Sequence, residues 1–149
     1  MANLTPKQCL KRFLELLRMT DMAYAKILKK WNLSLNTTWA LEYLNDHPEG
    51  VEPAVLADST RMLRQTITVV LNDLEAKNWI VRIPQSVDHR RKLICLTKAG
   101  KAFAGKVLGE IEEIELASFS SMTPAERKTL LELTGRFYES IAGAGRRSV

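Results

Sequence analysis

Between Leu63 and Gly100 the chain switches from a helical pattern to a strand pattern and back, and few folds accommodate that order in so short a stretch. Ile67, Val70, Leu71 and Leu74 follow the i, i+3, i+4, i+7 spacing of one buried helix face, which predicts a helix from Arg64 to about Lys77. The opposite face carries Arg64, Gln65, Thr68 and Asn72, long or polar side chains that can donate hydrogen bonds. Asn78 follows, and Asn tolerates the left-handed conformation that ends many helices. Trp79 to Ile83 is a β-branched and aromatic run of strand length, stopped by Pro84. The loop Gln85 to Lys92 holds Asp88, His89, Arg90, Arg91 and Lys92, Leu93 to Leu96 reads as the returning strand, and Thr97 is placed to cap a further helix. A helix with a polar outer face beside a basic hairpin suits two contacts on a duplex. The helix fits the major groove, and an arginine on the hairpin tip reaches the narrower minor groove.

Thr66-Ile67-Thr68, Leu74-Glu75, Val81-Arg82, Asp88-x-Arg90 and Leu96-Thr97-x-x-Gly100 together resemble, without a gap, the winged-helix core of the multiple-antibiotic-resistance regulator (MarR) family. Each piece is weak alone; the ordered set is specific, above all Asp88-x-Arg90 placed six residues before Leu96-Thr97. Arg61 and Leu63 stand where the family often has a turn glycine and a capping Ser or Thr, and Asn78 stands where Gly is common. The resemblance implies a mainly α fold with a small antiparallel β wing. A winged helix-turn-helix core, 34–100, would be flanked by long N- and C-terminal dimerisation helices, 5–32 and 97–143, in a single domain over 1–149. It implies a homodimeric transcription regulator on a pseudo-palindromic double-stranded DNA operator, a repressor released or modulated by a small-molecule ligand. Arg64, Gln65, Thr66, Thr68 and Asn72 would then meet base edges and phosphates, Arg90 the minor groove, and Arg91 and Lys92 phosphate. Asp88 would pair with a wing arginine and fix the loop, since a carboxylate repels phosphate.

Charge agrees with that partner. The formal net charge is +5, and residues 61–106 hold ten Lys or Arg against three Asp or Glu, whereas residues 1–60 balance at seven each. A localised basic patch is the electrostatic footprint of nucleic-acid binding. At 149 residues, 46% apolar and 26% charged, the chain has enough apolar content for a core. Two distant cysteines, Cys9 and Cys95, exclude a disulfide scaffold and a zinc site. No signal peptide opens the chain and no apolar run is long enough to span a membrane, so a cytoplasmic location is the default expectation.

The flanks read as helices. Thr5-Pro6-Lys7-Gln8 is a capping box before a long helix to about Trp31, with Leu10, Phe13, Leu14, Leu17, Tyr24, Ile27 and Leu28 at helical spacing. Ser34 or Asn36 caps a second helix that ends at His47-Pro48, Gly50-Val51-Glu52 is extended, and Pro53 opens a third helix with Val55 and Leu56 inward. After Gly100 a helix runs to about Ser118. Thr123-Pro124-Ala125-Glu126 is a second capping box, and the last helix, with Leu130, Leu133, Phe137, Tyr138 and Ile141, stops at Gly143-Ala144-Gly145. The small core cannot cover every stripe of these terminal helices; two copies packed about a two-fold axis would cover the remainder.

No catalytic motif, phosphate-binding glycine loop or metal-ligand spacing is present, so the chain reads as a non-enzyme without cofactor or metal. Tyr24, Trp31, Trp39, Tyr43 and Met62 are candidate walls of an effector pocket for a small lipophilic or aromatic anion, although such residues are more often plain core. Cys9 lies one position from the reactive cysteine of the family's peroxide-sensing branch, and Tyr24 falls in register with a tyrosine of that branch. A thiol-based peroxide sensor is therefore one rival reading, against an incidental thiol. A winged-helix module that docks protein is another.

Overall fold

The helix starts are set by side chains that take up free backbone N–H groups. In this computed structural model, which describes residues 4–147 (the last two by backbone alone), Thr5 caps α1, Pro6–Leu28. The Gln8 amide donates to Thr5 Oγ1 at 3.3 Å and the Thr5 amide donates to Gln8 Oε1 at 2.8 Å, the reciprocal pair of a capping box. A 3-10 turn, Lys29–Trp31, tightens the exit. Ser34 caps α2, Leu35–Asp46, through the Thr37 amide at 3.1 Å. α3 is Pro53–Thr60 and α4 is Arg64–Ala76. Strands β1, Ile80–Pro84, and β2, Lys92–Leu96, pair antiparallel from Ile80 opposite Leu96 to Pro84 opposite Lys92. α5 spans Lys98–Ser120 and α6 spans Pro124–Arg147. The architecture is the expected one: mainly helical, with one small two-stranded sheet.

The chain divides into two compact units after Leu108. In the first, Leu28, Leu41, Leu44, Leu56, Ile67, Leu71, Leu74, Ile94 and Val107 are fully buried and form the core. Val51 bonds Ile94 in both directions, at 3.0 and 2.8 Å, so the extended piece before α3 lies along β2. The Leu96-Thr97-x-x-Gly100 signature has a physical basis here. Thr97 Oγ1 donates to the Asn78 carbonyl at 2.8 Å and accepts from the Gly100 amide at 2.9 Å. A Cβ on Gly100 would overlap the Trp79 backbone, so only glycine allows α5 to start this close to the approach to β1. Trp79 then stacks on Phe103, ring centroids 3.8 Å apart.

The second unit contains the end of α5 and α6. Thr123 and Glu126 close the second capping box: Glu126 Oε2 accepts from the Thr123 amide at 2.7 Å, which holds its carboxyl below the ordinary glutamate range. Ile114, Leu116, Phe119, Leu130, Leu131, Leu133, Tyr138 and Ile141 all remain exposed in the single chain.

Two expectations are corrected. α6 does not stop at Gly143-Ala144-Gly145 but continues to Arg147. A glycine costs a helix about 1 kcal/mol relative to alanine but ends it only by turning left-handed, and Gly50 is the only described glycine with positive φ. Val55 does not face inward; it is exposed, while Leu56 and Ala57 take the inner face of the short α3. One residue is a 100° turn, too coarse to fix from an eight-residue helix.

Candidate nucleic-acid interface

α4 buries Ile67, Val70, Leu71 and Leu74 and turns Arg64, Gln65, Thr68 and Asn72 to solvent. Thr66 is half-buried at the edge of that face. The turn before α4 needs a left-handed residue and Arg61 supplies it, at φ 58°; Asn78 does the same after the helix, also at 58°. The backbone therefore keeps both turns although neither residue is glycine. Leu63 occupies the N-cap and offers no side-chain acceptor, so the first turn of α4 is left without a side-chain partner. The Thr68 hydroxyl donates back to the Arg64 carbonyl at 2.9 Å. Asn72 is not free: its Oδ1 accepts from Arg82 Nη2 at 2.9 Å, and Arg82 Nε donates to Glu75 Oε2 at 3.0 Å.

The wing tip is a tight turn built by Asp88. Its Oδ1 accepts from the Arg90 backbone amide at 3.0 Å, and its carbonyl accepts from the Arg91 amide at 3.0 Å. Asp88 thus shapes the loop through backbone bonds, and its charge also acts on the wing's Arg91. Arg91 is held elsewhere. Its Nη2 donates to Glu52 Oε1 at 2.5 Å and its Nε to Glu52 Oε2 at 3.3 Å, while Gln85 Nε2 donates to the same carboxylate at 3.1 Å. The Arg91 guanidinium lowers the Glu52 carboxyl, with Gln85 adding to the effect, and Glu52 raises Arg91 in return. This two-pronged grip ties the base of the wing to the start of α3. It engages Arg91 through Nε and Nη2, while the side chain stays more than half exposed, at 58%. Arg90, Lys92 and His89 are exposed.

Of the five candidate pocket walls, Trp39 and Tyr43 come together. With Glu42, Asp46, Ser59 and Thr60 they line a cleft of about 280 Å³ between α2 and the end of α3. Tyr43 stacks on His47 at 4.0 Å. Tyr24, Trp31 and Met62 do not line it; Lys30 sits over the Trp31 ring at 4.0 Å. Two carboxylates in the lining disfavour the anion that the aromatic residues alone suggested. Cys9 is exposed in the first turns of α1, its thiol directed to the Leu4 carbonyl at 3.8 Å. Among the described residues, no group of His, Cys, Asp and Glu is arranged to hold a metal ion, and no helix is long and apolar enough to cross a membrane.

Glu52 was invisible in the sequence, because 39 residues separate it from Arg91 and no local pattern links them. The Glu75–Arg82 pair could have been found, since both residues lie in the motif pieces that carry the family resemblance.

Known proteins bear out the resemblance. A family model described as MarR family matches residues 31–91, from the end of the first helical stretch to the wing loop before β2. The match is confined to this segment. The regulator PecS of Dickeya dadantii is 29% identical over 120 residues, covering 79% of this chain and 72% of PecS. The MarR-type winged helix is also seen in solved structures. MepR of Staphylococcus aureus in complex with DNA superposes with a TM-score of 0.78 at 21% identity, covering 93% of this chain and 99% of MepR. A probable transcriptional regulator from Pseudomonas aeruginosa superposes with a TM-score of 0.68 at 26% identity, over 82% of this chain and 93% of that one. The proteins that this chain is similar to are thus transcription regulators, and its residues 31–91 match the MarR family.

Proposed function

We propose that the chain binds double-stranded DNA sequence-specifically as a homodimer and represses transcription from a pseudo-palindromic operator. The observation that carries this is the pairing, within one compact unit, of an outward polar stripe on α4 with a wing tip whose Arg90 is exposed and whose backbone is fixed by Asp88. α4 enters the major groove, where Arg64, Gln65, Thr66, Thr68 and Asn72 reach base edges and phosphates. Arg90 enters the flanking minor groove and Lys92 lies on phosphate. Arg91 serves chiefly to anchor the wing through Glu52. MepR, whose fold this chain shares, has been crystallised with DNA.

The dimer rests on the exposed apolar side chains of the terminal helices, Leu10, Leu14 and Leu17 of α1 and Leu131, Leu133 and Ile141 of α6, which a second copy would cover. The single domain expected over 1–149 is then a functional unit assembled from both compact units. With DNA as partner, the place of action is the cytoplasm. A small aromatic or lipophilic effector, neutral or cationic, fits the Trp39–Tyr43 cleft with its acidic lining and would modulate DNA binding.

Selection from a random duplex pool tests the reading. The expected product is a two-fold sequence whose half-sites lie about one helical turn, roughly 10 base pairs, apart. Failure to enrich any duplex at low salt would overturn it and favour a protein-docking winged helix instead.

A further inference from the structure

The outermost line of α4 is not wholly polar. Val69 lies between Gln65 and Asn72 on the solvent face and is 69% exposed. It points away from the buried face of Ile67, Val70, Leu71 and Leu74. Side chains three apart on a helix are neighbours, roughly 5–6 Å between their Cβ atoms, so the isopropyl group of Val69 and the amide of Asn72 form adjacent parts of one surface.

The chemistry of that amide is set by its neighbour. Arginine carries donors only, so the atom of Asn72 that meets Arg82 Nη2 at 2.9 Å must be the oxygen. Arg82 is itself held, by Nε to Glu75 at 3.0 Å. One lone pair of the Asn72 oxygen is therefore taken and the oxygen is aimed at Arg82, which leaves the Nδ2 group to donate. An unrestrained asparagine reads adenine with one donor and one acceptor together. With its oxygen turned to Arg82, this one presents chiefly its donor. A surface made of a donor beside an aliphatic group is complementary to a base edge that has an acceptor beside a methyl. Among the major-groove edges only thymine offers that, with O4 next to the C5-methyl; guanine has two acceptors and no methyl, and the N4 group of cytosine is a donor.

We propose that Val69 and Asn72 together read a thymine. Val69 packs on the C5-methyl, Asn72 Nδ2 donates to O4, and Arg82 is a positioning residue that turns the amide. The proposal rests on α4 being the major-groove helix.

The test uses the full chain and the operator recovered by selection. Each thymine of a half-site is replaced in turn by uracil, which lacks only the methyl. At one thymine per half-site, uracil should weaken wild-type binding about fourfold, the effect of one buried methyl-sized group. Val69→Ala should still bind the operator but lose that sensitivity. Arg82→Leu, by freeing the Asn72 oxygen, should make adenine acceptable at the same position; should that variant fail to fold, the uracil scan with Val69→Ala decides alone. A scan with no methyl-sensitive thymine, or one whose sensitivity survives in Val69→Ala, overturns the pair while leaving the DNA-binding reading intact. Failure to recover any operator overturns both.

Discussion

α1 and α4 share one kind of sequence pattern and meet opposite fates. In α4 every residue of the apolar stripe, Ile67, Val70, Leu71 and Leu74, is buried within its own unit. In the longer α1 only Leu28 is buried, and Leu10, Leu14 and Leu17 stay exposed. Periodicity shows that a helix has a face to cover; it does not show which chain covers it. The α4 stripe is a core element of one molecule. The α1 stripe is one that the proposed second copy would cover.

Mutations at the two kinds of stripe should act differently. The largest effect is expected from Leu133→Glu, which would bury an unpaired charge costing several kcal/mol in a dimer and almost nothing in a lone chain. Sedimentation should then show the 16.9 kDa species at concentrations where the wild type is twice that mass. A wild type found only as the single-chain species would remove the interface. Next comes Leu74→Ala, inside the core of the first unit, with a loss of about 2–5 kcal/mol in urea unfolding. Its penalty should not depend on protein concentration. Leu17→Ala sharpens the contrast: a loss of about 1–2 kcal/mol is expected, visible in the dimer and fading as dilution separates the copies.

The same contrast explains how much could be read from sequence. Elements set by neighbours in the chain were legible: the Thr5 and Thr123 capping boxes, the α4 stripe, and the β-hairpin bounded by Asn78 and Pro84. Features set by distant partners were not. Arg91 looked like a free cation because Glu52, its partner, lies 39 residues away. Asn72 looked free to meet base edges because its Arg82 contact crosses from helix to strand. Trp39 and Tyr43 looked suited to an anion, although Glu42 and Asp46 share their face of α2 at i, i+3, i+4, i+7 spacing, a local signal that their aromatic character masked. The glycines of α6 misled for the opposite reason: a local signal for termination was present, but the backbone never takes the left-handed turn that would act on it.

The Glu52 grip on the wing gives the smallest expected effect and a signed pH dependence. Its carboxyl is held below the ordinary glutamate range by Arg91 and then Gln85. A depressed folded value stabilises the fold above the unfolded value, and the contribution is lost as pH falls through the folded one. Hydrogen exchange at the Gln85 amide, which donates to the Arg91 carbonyl at 2.9 Å, reads the wing directly. Glu52→Gln should speed that exchange at neutral pH, and the difference from wild type should vanish well into the acid range. A difference that persists there would mean that the Glu52 charge does not hold the wing.

On the proposed docking, helix and wing contact DNA in different ways, and one titration separates them. Wild type, Arg90→Ala and Gln65→Ala are measured against the selected operator and its single-base variants at two salt concentrations. The minor groove carries a degenerate code, so Arg90→Ala should weaken binding to all sequences alike and reduce the salt slope by roughly one unit. Gln65→Ala should instead relax preference at one or two base pairs per half-site, by about 1–3 kcal/mol. If Arg90→Ala binds as tightly as wild type at both salts, the wing does not touch DNA and the docking described here is wrong.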